Sequence, residues 1–295
     1  MGRQIEIYQI DAFTNKPFEG NSAGVTLAEN LTDDEMQKIA KEMNLAETAF
    51  LSKSDKADYK LRWFTPAVEV DLCGHATIAS LHFLAEKNLL RNNSSVKLDT
   101  RSGILNCKSE DGYYFMQIPI FSMKEFEGNK DEIIQALNID QDSLDKNIPF
   151  ILLENGYLFV YVKDLSSLHK IQPDFKALKN ITKTKNEFNC TVVFTLETVD
   201  KESFAHSRFF APYYGIDEDP VTGSANGPFL LVLKKLNLIL DGSFRKNPGN
   251  EITLIFEQGD VLNRRGRVKV RYNQNNNELY ISGQAVTVLK GALSF

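Results

Sequence analysis

Apolar and polar positions alternate along "RQIEIYQIDAF", and again along "ETAFLSKS" and "YKLRWFTP", and this period of two predicts half-buried β-strands. Between the first two lies "NKPFEGNSAGV", a turn rich in Gly, Asn and Pro that leads into a further strand. "LTDDEMQKIAKEMN" follows, where Thr32 and Glu35 stand three residues apart as a capping box opening a helix. The period then changes at "VDLCGHATIASLHFLAEKNLL". There Ile78, Leu81, Leu84, Ala85 and Leu89 recur at helical spacing and Phe83 widens the apolar surface, which predicts a deeply buried helix. Short strands resume through "SVKLDTRSGILNCKSEDGYYFMQIPI". "DEIIQALNI" and "PDFKALKNI" read as short amphipathic helices among strands such as "YLFVYVKD" and "CTVVFTLE". A second apolar helix is expected from Gly227 to Leu240, followed by the strands "EITLIFEQG", "RVKVRYNQ" and "ELYISGQAVTVLKG".

The two halves share one plan: strands, a glycine-containing loop, one strongly apolar helix, and more strands. The loops that open the two helices are "DLCGHAT" and "DPVTGSA". With no tight tandem repeat and no low-complexity linker, the pattern predicts an α+β protein of two similar lobes. The polar "FSMKEFEGNKDE" region after Ile120 divides them. Lobes that each bury an apolar helix inside curved strands are expected to bring both helix N-termini to a cleft, where pockets form.

The chain has 295 residues, 42% of them hydrophobic and 25% charged, enough to bury two cores. A net charge of -5 leaves no electrostatic footprint for nucleic acid, and "RRGR" at Arg264 to Arg267 is too short to supply one. Without a signal-type apolar core or a bilayer-length apolar run, the expected location is cytoplasmic, with no membrane partner. Cys73, Cys107 and Cys190 form an odd set without a CxxC pair, which fits a reducing compartment and offers neither a zinc nor a disulfide framework. HExxH, GxGxxG, Walker and GxSxG patterns are absent as well. What remains is acid/base chemistry with no metal and no organic cofactor. A homodimer is the default expectation for an oligomer.

"DEDPVTGSANGP", Asp217 to Pro228, sets three carboxylates where the second apolar helix should begin. Acids and hydroxyls there serve ordinary helix initiation, or they belong to a site in which loop amides hold an anion while a carboxylate moves protons. Asp219 and Ser224 flank the loop, and Thr222 and Gly223 keep it small. Glu47, in "NLAETAF", reads alone as a rim residue at a strand start, but Leu45, Ala46, Ala49 and Phe50 are apolar and would wall its carboxyl into a pocket, raising its pKa toward that of a general acid/base. His75 in "CGHAT" stands at a helix start, where a satisfied structural ring is the commoner use. The helix N-terminus disfavours imidazolium, leaving the ring neutral to orient a substrate or share a proton. Cys73 precedes the same helix and gains acidity from it. His82, Lys87, His169 and His206 have no such setting.

Taken in order, "QIDAFTNKPFEGNSAGV", "NLAETAF", "RWFTPAVEVDLCGHATIAS", "GIDEDPVTGSANGP" and "ISGQAVTVLKG" resemble the phenazine biosynthesis PhzF-like proteins, relatives of diaminopimelate epimerase, nearly end to end. The resemblance implies two lobes of diaminopimelate-epimerase type, each a curved sheet or barrel around a central helix. Residues 1–122 with about 284–295 would form the N-terminal lobe and 123–283 the C-terminal one. The member that names the group isomerises a dihydro-hydroxyanthranilate by moving a proton, without metal or organic cofactor. The resemblance puts its acid/base glutamate on Glu47, its histidine on His75, its aspartate on Asp219 and its serine on Ser224. Cys73 matches the first cysteine of the epimerases, while Thr222 takes the place of the second. The expected function is thus an isomerase moving a proton within a small anionic, carboxylate-bearing substrate. Glu47, His75 and Asp219 are its catalytic candidates, and Cys73, Gly74, Thr222, Gly223 and Ser224 its binding candidates. An amino-acid or hydroxy-acid epimerase using Cys73, and a non-catalytic small-acid-binding protein, are the alternatives.

Overall fold

The computed structural model describes residues 2–185, 187–239, 246–247 and 250–295. The chain begins with β1 (Gln4–Ala12), β2 (Asn21–Leu27), α1 (Asp33–Met43), β3 (Glu47–Ser52), β4 (Tyr59–Phe64), β5 (Glu69–Val70) and α2 (Gly74–Glu86). It continues through β6 (Ser94–Thr100), β7 (Gly103–Glu110), β8 (Tyr113–Ile118), β9 (Met123–Glu125), α3 (Lys130–Leu137), β10 (Ile151–Leu153) and β11 (Tyr157–Tyr161). Then come α4 (Leu165–Lys170), α5 (Phe175–Lys185), β12 (Cys190–Thr195), β13 (Ala205–Ala211), β14 (Ile216–Asp219) and α6 (Gly223–Lys235). The last strands are β15 (Lys246–Asn247), β16 (Glu251–Gln258), β17 (Gly266–Asn273), β18 (Glu278–Gly283) and β19 (Ala285–Ser294). Two compact units result, Met1–Ile118 with Tyr280–Phe295, and Pro119–Leu279.

Both units are of mixed α+β class and repeat one order of strand pairing. In the first, antiparallel β1 and β2 are followed by parallel β2 and β3, antiparallel β3 and β4, parallel β4 and β6, and antiparallel β6 and β7. In the second, β10, β11, β12, β13, β16 and β17 pair with the same succession of senses. Two short strands, β5 and β14, lie against β4 and β13 just ahead of the long apolar helices. β19 belongs to the first unit as the antiparallel neighbour of β1, with Gln4 opposite Ser294.

Each unit buries one helix nearly all round, because neither α2 nor α6 has a polar face to show to water. α2 packs on β1, β2, β3, β8 and β19. Its Thr77 and Ser80 hydroxyls survive burial by donating back to the carbonyls of Cys73 and Ala76, at 2.6 and 2.7 Å. In the second unit Phe229 of α6 meets Phe159, Phe194 and Phe256, with ring centroids 4.6 to 5.7 Å apart. Amphipathic helices cover the other face of each sheet: α1 brings Met36, Ile39 and Ala40 onto Ile7, Phe50 and Phe64, while α3, α4 and α5 close a second core around Phe150, Val160 and Phe210. The Thr32–Glu35 capping box is present. No helix among the described residues is long and apolar enough to cross a membrane.

Two boundaries differ from the sequence pattern. Asn88, left-handed at φ 60°, turns the chain after α2, so Leu89 is exposed and Leu90 takes the buried place expected of it. α6 starts at Gly223, four residues before the expected Gly227, since Gly227 and Pro228 sit inside its second turn. The expected end at Leu240 lies outside the described residues.

Candidate active site

In the first unit the site is built by the loop between β1 and β2. Phe13 and Phe18 take left-handed backbone angles, φ 63° and 69°, an arrangement that costs bulky residues about 1–3 kcal/mol each. Asp11, fully buried, holds the loop by accepting from the Phe18 amide at 2.8 Å. Gly20 closes it at φ 64°, where a Cβ would lie 2.1 Å from the Ala12 carbonyl oxygen, so no other residue fits. This delivers Asn21, buried, as the first residue of β2. Parallel pairing of Ala23 with Glu47 places the start of β3 beside the start of β2.

Three side chains meet there. Glu47, its side chain only 12% exposed, brings Oε2 to 3.2 Å from Nε2 of His75, the second residue of α2. On the other side of that ring, Asn21 Nδ2 is 3.3 Å and Cys73 Sγ 3.6 Å from Nδ1. Cys73 is the N-cap of α2, and its side chain makes no cap bond to the first amides.

Burial pushes the His75 pKa down to about 3. An unfolded chain binds a proton at this residue near 6.5 and the folded one does not until about 3. Stability that is intact above pH 6.5 therefore declines as pH falls through that window, by up to about 1.4 kcal/mol per unit from this residue. A His75→Gln variant is expected to flatten the slope between about pH 6 and 4, read from urea midpoints at stepped pH. A loss below about 4.5 should persist, since Glu257, with other carboxyls held below their usual range such as Glu69 and Glu86, contributes there. Burial opposes ionisation of the Glu257 carboxyl, but bonds from His206 and the amides of Val199 and Asp200, with the charge of Arg267, hold its pKa at about 2.

The second unit builds a matching set at the start of α6. Asp219, the last residue of β14, accepts from the Thr222 hydroxyl at 2.5 Å. Buried Gln258 clamps this loop, donating to the Asp219 carbonyl at 2.8 Å and to the Thr222 hydroxyl at 3.1 Å, and accepting from the Thr222 amide and Asn226. Thr222, expected among the binding residues, thus has its hydroxyl engaged in holding Asp219. Ser224 is the second residue of α6 as His75 is of α2, and its Oγ lies 3.1 Å from the hydroxyl of Tyr157. Burial raises the Tyr157 pKa and keeps it a neutral phenol. Cys190 opens β12 opposite Tyr157, the register place that Glu47 holds in the first unit, and burial with the Asp219 charge pushes its thiol up. α6, like α2, lacks a side-chain N-cap bond.

The three carboxylates ahead of α6 do not serve its first turn, which contains no acid. They lie on β14: Asp217 faces water, Glu218 pairs with Arg208 at 2.8 Å, and Asp219 bonds Thr222. The first unit repeats the Arg208–Glu218 pair as Arg62–Glu69, since Arg62 stands opposite Phe50 as Arg208 stands opposite Val193, each three residues into its neighbour strand.

Among the described residues, two clusters bring three potential metal ligands within 4.8 Å of one another. In Glu47, Cys73 and His75, Nδ1 of the ring already has Asn21 Nδ2 at 3.3 Å and Cys73 Sγ at 3.6 Å. In His206, Glu257 and Asp260, the guanidinium of Arg267 already spans both Asp260 oxygens at 3.1 and 3.3 Å.

Asn21, Tyr157 and Gln258 were invisible as site residues in the sequence. Asn21 lies in a stretch that reads only as a turn, and its partner His75 is 54 positions away. Ser224 is 67 positions from Tyr157.

The chain is 38% identical over 310 residues to a protein of Clostridium acetobutylicum named an uncharacterized isomerase, covering 99% of each. Its fold superposes on the crystal structure of a Bacillus anthracis phenazine biosynthesis protein of the PhzF family with a TM-score of 0.88 and 32% identity, covering 99% of both chains. A hydroxyproline epimerase of Agrobacterium vitis, at 13% identity and a TM-score of 0.59, shares the fold over 99% of this chain and 93% of its own. The model of the phenazine biosynthesis-like family, PhzC-PhzF, matches residues 10–291, the span that holds both helix-opening loops, Glu47 and the Arg–Glu pairs, and so the chain belongs to that family.

Proposed function

We propose that this protein is an isomerase that shifts a proton within a small carboxylate-bearing molecule by acid/base catalysis. The observation that carries it is the Glu47 carboxyl, nearly enclosed and 3.2 Å from a neutral His75 at the start of α2. Glu47 takes a proton from a carbon next to an electron-withdrawing group and returns it, or one exchanged from solvent, elsewhere on the same molecule. The amides at Gly74 and Gly223, with the Ser224 hydroxyl, hold the substrate carboxylate. His75 and Asp219 orient it, Asp219 being fixed by Thr222 and Gln258.

Epimerisation is supported less well. It needs a second base matching Cys73, and at that position Thr222 spends its hydroxyl on Asp219. The test is incubation with a panel of small unsaturated carboxylates in D2O. The expected product carries a relocated double bond, with deuterium at the carbon that gained the proton, seen by absorbance and NMR. Deuterium at an inverted stereocentre, abolished in Cys73→Ala, would overturn the isomerase in favour of the epimerase.

A further inference from the structure

We infer that Asn21 is a positioning residue that decides which nitrogen of His75 carries the proton, and so makes the ring a neutral hydrogen-bond donor through Nε2. The inference rests on the proposed role of His75 and deepens it. Nδ1 has two close neighbours, Asn21 Nδ2 at 3.3 Å and Cys73 Sγ at 3.6 Å. An amide nitrogen carries protons and offers no lone pair, so Nδ1 accepts from Asn21, and the Cys73 thiol is able to donate to it as well. A neutral imidazole has one N–H. It is therefore on Nε2, the atom 3.2 Å from Glu47 Oε2.

The surroundings favour this form throughout. His75 is 6% exposed and its burial disfavours imidazolium. The titratable groups that face the ring among the described residues are Glu47, from β3, and Cys73, from the N-cap. The helix start adds a partial positive charge against protonation. The strained loop ahead of Asn21, pinned by Asp11 and Gly20, has a clear purpose on this view, since it sets one amide against one nitrogen.

Of the two roles open to His75, orienting and relaying, orienting alone remains. A ring that already carries its proton on Nε2 receives none there; its N–H is left to steady negative charge growing on the substrate. Within this pair the moving proton is carried by Glu47.

The test is long-range 1H–15N NMR on protein labelled at histidine, with the His75 signals identified by their absence from His75→Gln. At pH 7 the parent protein is expected to show the proton on Nε2. In Asn21→Asp a carboxylate would accept from the ring, moving the proton to Nδ1 or protonating both nitrogens. It would also raise the protonation midpoint by about one to three pH units. A parent protein with the proton on Nδ1, or a folded Asn21→Asp protein with an unchanged His75 pattern, would overturn the inference. If Asn21→Asp does not fold, the parent spectrum alone decides it. No substrate enters the measurement, so its failure leaves the Glu47 assignment untouched, and failure of Glu47 leaves the tautomer untouched.

Discussion

Glu47→Gln is expected to fold as the parent does and to lose about a hundredfold to ten-thousandfold in turnover, the usual worth of one positioned acid/base group. The replacement keeps the size of the side chain, so the pocket stays filled and unfolding free energy moves by less than about 1 kcal/mol. An amide can neither take up nor return a proton at neutral pH. The loss should therefore appear in kcat and in kcat/KM alike, with little change in substrate affinity. Steady-state kinetics on whichever acid turns over in the deuterium experiment, with a urea melt to show the fold is intact, measures both halves. Full turnover in a folded Glu47→Gln protein would remove the carboxylate from the chemistry and leave the pocket as a binding site.

The largest loss of stability is expected from Glu218→Ala, about 3–5 kcal/mol, although Glu218 adjoins a catalytic candidate and is not one itself. Arg208, 5% exposed, forks onto Glu218 through Nε and Nη2, both at 2.8 Å, and its Nη1 donates to the carbonyls of Leu168 and Ile171 at the end of α4. Removing the carboxylate strands a desolvated cation among carbonyls, which is the costly half of breaking a buried pair. Replacing both ends by apolar side chains, Arg208→Met with Glu218→Leu, should recover most of the loss. Glu69→Ala in the equivalent pair should cost less. Arg62 is more exposed, at 16%, and keeps Asp33 at 2.6 Å. Urea midpoints for the four proteins rank these effects, and equal losses at Glu69 and Glu218 would contradict the argument.

Much of this architecture was legible because it depends on near neighbours in the chain. The capping box of α1, the strands with a period of two and the deep burial of α2 all follow from residues within a few places of one another. The correspondence of "DLCGHAT" with "DPVTGSA" pointed to a duplicated plan, and the repeated pairing order of the two sheets is that plan in hydrogen bonds. Where glycine and proline stand inside a helix, the local signal fails: Gly227 and Pro228 hide the first turns of α6. The six-residue α4 was too short for periodicity to mark. At the site, the sequence singled out Glu47, His75 and Cys73, and the structure brings those three together. Their supports were illegible because each bond spans dozens of residues, from Asn21 to His75 and from Gln258 to Asp219. "DEDP" misled for the opposite reason. Three adjacent acids suggested one shared purpose, and in the folded chain they point three ways, to water, to Arg208 and to Thr222.

The pairing of β19 with β1 fixes an order of events during synthesis. A ribosome releases Gln4 early and Ser294 nearly three hundred residues later, so throughout translation β1 waits with one edge bare. The unit holding Glu47 and His75 can be sealed only when the final strand emerges, whereas everything the other unit needs is already outside. An open strand edge is an invitation to misplaced partners. On this molecule that hazard falls on the unit that carries Glu47, and it lasts until β19 has been made.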